Sequence, residues 1–243
     1  GTALVEESIV EALDFRRAMK KVEMELGSKD WWFKVWGPEI DPEGDGVPSR
    51  EQWILQPGEK WHGFGELREG FNMLDPIKAT IVTPGLNMNG EFDQQGIPAS
   101  VVTRYLSEHG VIVEKTGLYS FFVMFTIGIT KGRWNTLLTA LQQFKDDYDK
   151  NQPMWRVLPE FCSNYQCYER VGLRDLCQKL HDIHKKNNVA KLTTEMYLSN
   201  MEPAMKPSDA FASVARKKTE RVSVDHLEGR ITTSLLTPYP PGI

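Results

Sequence analysis

Three places in this sequence carry side chains whose types and spacing could do chemistry. The first is Glu114, in Val113-Glu-Lys-Thr-Gly117, with Lys115 and Thr116 beside it. A carboxylate at the end of a short strand can receive a cation through charge-assisted hydrogen bonds, which are stronger than neutral ones. On pattern alone, such a glutamate is more often an ordinary exposed strand end. The second is His62, in Trp61-His-Gly-Phe64, which could act as an acid or pack against its aromatic neighbours. The third is Cys177, His181 and His184, at i, i+4 and i+7 of one helical pattern and so on one face. Zinc sites usually pair two ligands in a tight turn, and no C-x₂-C occurs here, so this set reads as a partly buried helix face, with no metal expected.

The elements that must position these residues follow from local pattern. Pro98 suits a helix start, and Val101, Val102, Tyr105 and Leu106 recur at helical spacing until Gly110 stops them. Val111 to Val113 reads as a short β-branched strand with Glu114 at its mouth, and Phe121 to Ile129 as a strand buried on both faces. A helix from Lys131 to Asp149 follows. Upstream, apolar residues from Ile9 to Leu26 follow a period near 3.6 within a helix expected over Glu6 to Leu26. Trp31 to Trp36 reads as a strand, Gly37 to Arg50 as a surface loop, Trp53 to Leu55 as a short strand and Ile77 to Thr83 as a strand. Beyond a polar cluster at Asn151-Gln152-Pro153, a boundary is expected, followed by helices over Leu173 to Lys185, Thr193 to Leu198 and Ser208 to Lys217, and a β-like run over Ile231 to Leu236. The expected fold class is α+β, a lobe over residues 1–150 and a mostly helical domain over 151–243.

Composition narrows the functions. Across 243 residues, 40% are hydrophobic, enough for a packed core, and the net charge of -4 gives no electrostatic case for nucleic acid or an anionic membrane. The basic cluster Arg216-Lys217-Lys218 with Arg221 is interrupted by Glu220 and reads as a solvated helix end. Three cysteines do not make a disulfide framework, and with no targeting signal in view the cytoplasm is the default compartment. Gly63-Phe-Gly65 lacks the strand, spacing and helix of a dinucleotide fingerprint, Lys131-Gly132 is no phosphate loop, and there is no G-x-S-x-G elbow. The first residues lack an initiator Met and the last are Pro-Tyr-Pro-Pro-Gly-Ile, so both ends look cut.

Seven motifs together, Trp61-His-Gly-Phe64, Leu74-Asp-Pro-Ile-Lys78, Thr83-Pro-Gly85, Gly96-Ile-Pro-Ala99, Val113-Glu-Lys-Thr-Gly117, Gly128-Ile-Thr-Lys-Gly132 and Pro238-Tyr-Pro-Pro-Gly-Ile243, resemble the bacterial pyridoxal-phosphate-dependent lysine, arginine and ornithine decarboxylases. The resemblance runs the length of the chain and is closest to the lysine branch. It implies the small lobe of an aspartate-aminotransferase type of fold (fold type I) followed by most of the family's C-terminal domain. It also implies a cofactor, pyridoxal phosphate, bound mainly by a large domain upstream, where the Schiff-base lysine of a Ser-x-His-Lys motif lies. His184-Lys185 follows Asp182-Ile183 and is not that motif. This chain alone should then be inactive.

By the same resemblance, Glu114 faces the distal amine of a basic amino-acid substrate and Tyr239 is a second contact near that tip, with Lys115, Thr116 and His62 as possible further contributors. Glu at this position implies a compact ammonium, hence lysine or ornithine. Decarboxylation consumes a proton, which connects such enzymes with acid resistance and polyamine supply. The family works as a homodimer that commonly assembles further. A non-catalytic assembly or regulatory module built on the same lobe is the competing reading, and a Ser-x-His-Lys segment upstream would decide between the two.

Overall fold

In the computed structural model, residues 2–27, 30–44, 50–68, 72–198 and 204–231 are described. Helix α1 (Thr2–Leu26) leads into strand β1 (Lys34–Val35), and after a 3₁₀ turn (Arg50–Trp53) come β2 (Lys78–Val82), α2 (Ala99–Glu108), β3 (Lys115–Thr116), β4 (Ser120–Met124) and α3 (Lys131–Asp149). The strands form one antiparallel sheet in the order β1-β2-β4-β3. Then α4 (Met154–Val157), α5 (Pro159–Asn164), α6 (Leu173–Lys186), α7 (Val189–Leu198) and α8 (Pro207–Ala215) complete a helical C-terminal part. The expected α+β class is what the architecture shows.

The periodic face of α1 is buried through Ala12, Phe15 and Met19, and α2 and α3 bury Val102, Tyr105, Leu141 and Phe144 against the same cluster. Phe15 meets Phe125 at 5.4 Å and Tyr105 meets Phe144 edge-on at 5.2 Å between ring centroids. Each fully buried aromatic of this kind contributes about 1.5–3 kcal/mol. The cluster does not stop at position 150: Met154, Val157, Leu173 and Cys177 belong to it. Arg16 adds a polar tie, donating to the carbonyls of Trp36 at 2.8 Å and Lys78 at 3.0 Å. Burial pushes its guanidinium down to about 10, against the opposing pull of Asp75.

Asn151, where a boundary is expected, forms a tight corner. It adopts φ 49°, and the amides of Asn151 and Gln152 return to the carbonyls of Tyr148 and Asp147, closing α3 with a Schellman motif. Its side-chain oxygen then accepts from the amides of Arg174 and Asp175, so one residue ends α3 and caps α6.

Several expected strands differ from those observed. Val111 to Val113 is not a strand, because the end of α2 uses its backbone. Gly110 (φ 77°) donates to Ser107 and Val111 to Leu106, a second Schellman closure, and Ile112 is left 88% exposed. The strand begins after Glu114, at Lys115. The aromatic run Trp31 to Trp36 gives only a two-residue strand, with Trp32 and Phe33 turned into the core. Trp53 ends a 3₁₀ turn, and only Ile54 pairs across, to Met73. The apolar run Phe121 to Ile129 pairs through Met124. Its last residues turn at Gly128 (φ 89°), and the strand is only partly covered at Phe122 and Val123. Of the β-like run Ile231 to Leu236, all but Ile231 lies outside the described residues, and Ile231 is not in a strand.

Candidate functional site

Glu114 is exposed at the entrance to the β3–β4 hairpin. Its amide donates to the Phe122 carbonyl at 3.0 Å, and the ladder continues through Lys115 opposite Phe122 and Thr116 opposite Phe121. The backbone of Glu114 is therefore fixed by the sheet while its carboxylate reaches outward. Among the described residues none donates a hydrogen bond to that carboxylate. Thr116 is directed toward α2, its hydroxyl donating to that of Thr103 at 3.1 Å. Lys115 is exposed. Tyr239 lies outside the described residues.

His62 stands apart from the hairpin and is 2% exposed. The Phe64 amide donates to its Nδ1 at 3.0 Å, which leaves Nε2 as the donor to the Gln56 carbonyl, also at 3.0 Å. Its ring stacks on Phe64 and meets Trp61 edge-on. These contacts use both ring nitrogens to close the glycine-rich loop.

Cys177, His181 and His184 do share one face of α6. Cys177 and His181 are fully buried, and burial pushes the Cys177 thiol up, away from the ionised form that binds metals. Among the described residues no group of three His, Cys, Asp or Glu side chains could hold a metal. What joins the two imidazoles is a residue with no signal of its own in the sequence, Tyr119. Its hydroxyl lies 2.7 Å from Nδ1 of His181 and 3.2 Å from Nδ1 of His184.

The chain was also compared with known proteins. The family model described as Orn/Lys/Arg decarboxylase, major domain, matches residues 1–133, and that described as the C-terminal domain matches residues 190–243. The chain belongs to the Orn/Lys/Arg decarboxylase family. Within this family it is 48% identical to lysine decarboxylase LdcA of Pseudomonas aeruginosa, over 100% of this chain and 32% of that protein. It is 35% identical to the biodegradative arginine decarboxylase of Escherichia coli, over 100% of this chain and 34% of that one. The solved structure of lysine decarboxylase A from Pseudomonas aeruginosa superposes with a TM-score of 0.85 at 48% identity, covering 99% of this chain and 32% of that one. The chain thus spans about a third of the length of the decarboxylases it matches.

A pyridoxal-phosphate site would need a lysine free to reach the cofactor. Among the described residues the buried lysine is Lys145, and it is committed elsewhere: Nζ lies 2.8 Å from Asp30 and 2.6 Å from Asp149, over the Trp31 ring. Burial lowers its pKa, but the hydrogen bonds to the two carboxylates outweigh that and raise it overall. A lysine held as a paired cation is a poor nucleophile. Lys145, tied to Asp30 and Asp149, therefore does not fit that role.

Proposed function

We propose that this chain is part of a pyridoxal-phosphate-dependent basic amino-acid decarboxylase, converting lysine to cadaverine and CO₂, with ornithine and arginine as the neighbouring substrates. Its contribution is recognition of the substrate's side-chain tip. Supporting the lysine assignment is the 48% identity, along the entire chain, to a lysine decarboxylase. Glu114 accepts the distal ammonium, because its backbone is fixed by the sheet and, among the described residues, none donates a hydrogen bond to its carboxylate. Tyr239 and the neighbours Lys115 and Thr116 belong to the same recognition region in this reading. His62 holds the loop before β2.

The cofactor and its lysine are supplied by parts of the enzyme other than this chain, so the isolated chain is inactive. The working division is a lobe over residues 1–150 and a C-terminal domain over 151–243. The assembly is a homodimer or higher oligomer acting in the cytoplasm. Among the described residues no helix is long and apolar enough to cross a membrane.

The test is CO₂ release by the full-length protein, loaded with pyridoxal phosphate, from lysine, ornithine and arginine. Lysine should be preferred, and Glu114→Gln should raise its KM about 10- to 100-fold, the loss of one hydrogen bond to a charged group. Equal KM values for the two proteins would remove Glu114 from recognition. Absence of CO₂ release from all three substrates would leave the non-catalytic module as the reading.

A further inference from the structure

Three of the motifs that mark this sequence converge on a residue outside all of them. Thr83-Pro-Gly85, Gly96-Ile-Pro-Ala99 and Val113-Glu-Lys-Thr-Gly117 meet around Tyr119, two residues beyond the end of the last. The Thr83 amide donates to the Tyr119 carbonyl at 2.9 Å, and the Ala99 amide to that of Leu118 at 3.0 Å. A Cβ on Gly85 would stand 2.7 Å from the Tyr119 ring and 2.6 Å from the Gly96 backbone, and one on Gly96 would stand 2.0 Å from Nδ1 of His181. Both glycines are thus places where only bare backbone fits between the loop and the two rings.

The hydrogen bonds at this point have one consistent direction. The Asp93 carbonyl, 3.1 Å from Nε2 of His181, can only accept, so Nε2 carries the proton and Nδ1 of His181 accepts. Tyr119 therefore donates its hydroxyl proton to His181, and its oxygen accepts from Nδ1–H of His184. The resulting chain runs from His184 through Tyr119 and His181 to Asp93. It ties the turn of the β3–β4 hairpin and the loop after β2 to one face of α6. Lys185 and Gln178 reinforce the same loop by donating to the carbonyls of Asp93 and Gln94. Phe92 closes the cluster edge-on against both rings.

The geometry points to Tyr119 as a positioning residue for substrate recognition: its hydroxyl, held by His181 and His184, fixes the hairpin that presents Glu114. The proposal rests on the reading of Glu114 as the contact to the substrate ammonium. Tyr119 is 4% exposed, and it acts through the hairpin. Helix α6, remote from Glu114 in sequence, thereby sets how firmly the carboxylate is held.

The experiment is steady-state kinetics of the full-length decarboxylase with lysine, comparing Tyr119→Phe, Glu114→Gln and the double variant. Tyr119→Phe keeps the ring and removes only the hydroxyl. It should raise KM about tenfold, one buried hydrogen bond's worth, with kcat altered less than KM. In the Glu114→Gln background the same change should leave KM unaltered, because the carboxylate it positions is gone. His184→Leu should reproduce the KM effect and His184→Asn, which keeps a donor near Nδ1, should restore it. If Glu114→Gln raises KM and Tyr119→Phe does not, or if the two effects multiply in the double variant, the tether is overturned while Glu114 stands. If Glu114→Gln leaves KM unchanged, the recognition reading itself falls, and the positioning role with it.

Discussion

Gly96 lies against His181 so closely that a methyl group at position 96 would stand 2.0 Å from Nδ1 and 2.5 Å from Cε1 of the ring. The imidazole cannot retreat, because it is fully buried and bonded at both nitrogens. A motif glycine is explained here by a helix residue, His181, more than eighty positions away in the sequence.

Gly96→Ala should therefore destabilise the fold by about 2 kcal/mol or more, the range of overpacking in a rigid core. Thermal unfolding checks this. A variant as stable as the parent would mean that α6 does not pack on this loop.

His184 gives the fold a pH dependence. Burial, with the neighbouring His181 adding to it, lowers its pKa below the ordinary histidine value. The unfolded chain then takes up the proton first as pH falls. The stabilisation is complete above about pH 6.5 and is lost on acidification through the lower folded value. His184→Asn should flatten that acid-side loss, measured as the difference in Tm between about pH 7.5 and about pH 5.5. An unchanged slope would remove His184 as its source.

Lys145 should behave in the opposite way, giving a contribution that is constant across neutral pH. Its raised pKa keeps the cation until pH exceeds 10.5, and hydrogen bonding to Lys145 lowers the Asp30 pKa, so its charge is lost only on acidification below 3.8. Asp30 and Asp149 are half exposed, which reduces the value of the pair below that of a fully buried one. Lys145→Met should cost about 1–2 kcal/mol in unfolding free energy, equally at about pH 6 and about pH 8. A cost that changed between those values would implicate another titrating group.

The helices were largely legible because their signals are local. The apolar period of α1, the stop at Gly110 and the polar end of α3 all lie within the segments they govern. The strands were less so. Val111 has the β-branched side chain of a strand residue, yet its amide is taken by Leu106 of the preceding helix. Trp32 and Phe33 are as apolar as strand residues but are used as core packing, Phe33 against Phe144 of α3. Strand extent depends on which partner is within reach, and that is not a property of the segment.

For the site, the sequence by itself determined that a carboxylate stands in a Glu-Lys-Thr-Gly motif at a turn, and that Cys177, His181 and His184 share a helix face. Both follow from residue type and spacing. Only the tertiary structure decided that Glu114 is held by Phe122 at a hairpin mouth, and that the histidine pair serves a tyrosine more than sixty residues before it. The reason is physical: a hydrogen bond or a glycine contact between distant segments depends on where the whole core brings their backbones, and neither segment alone encodes that distance.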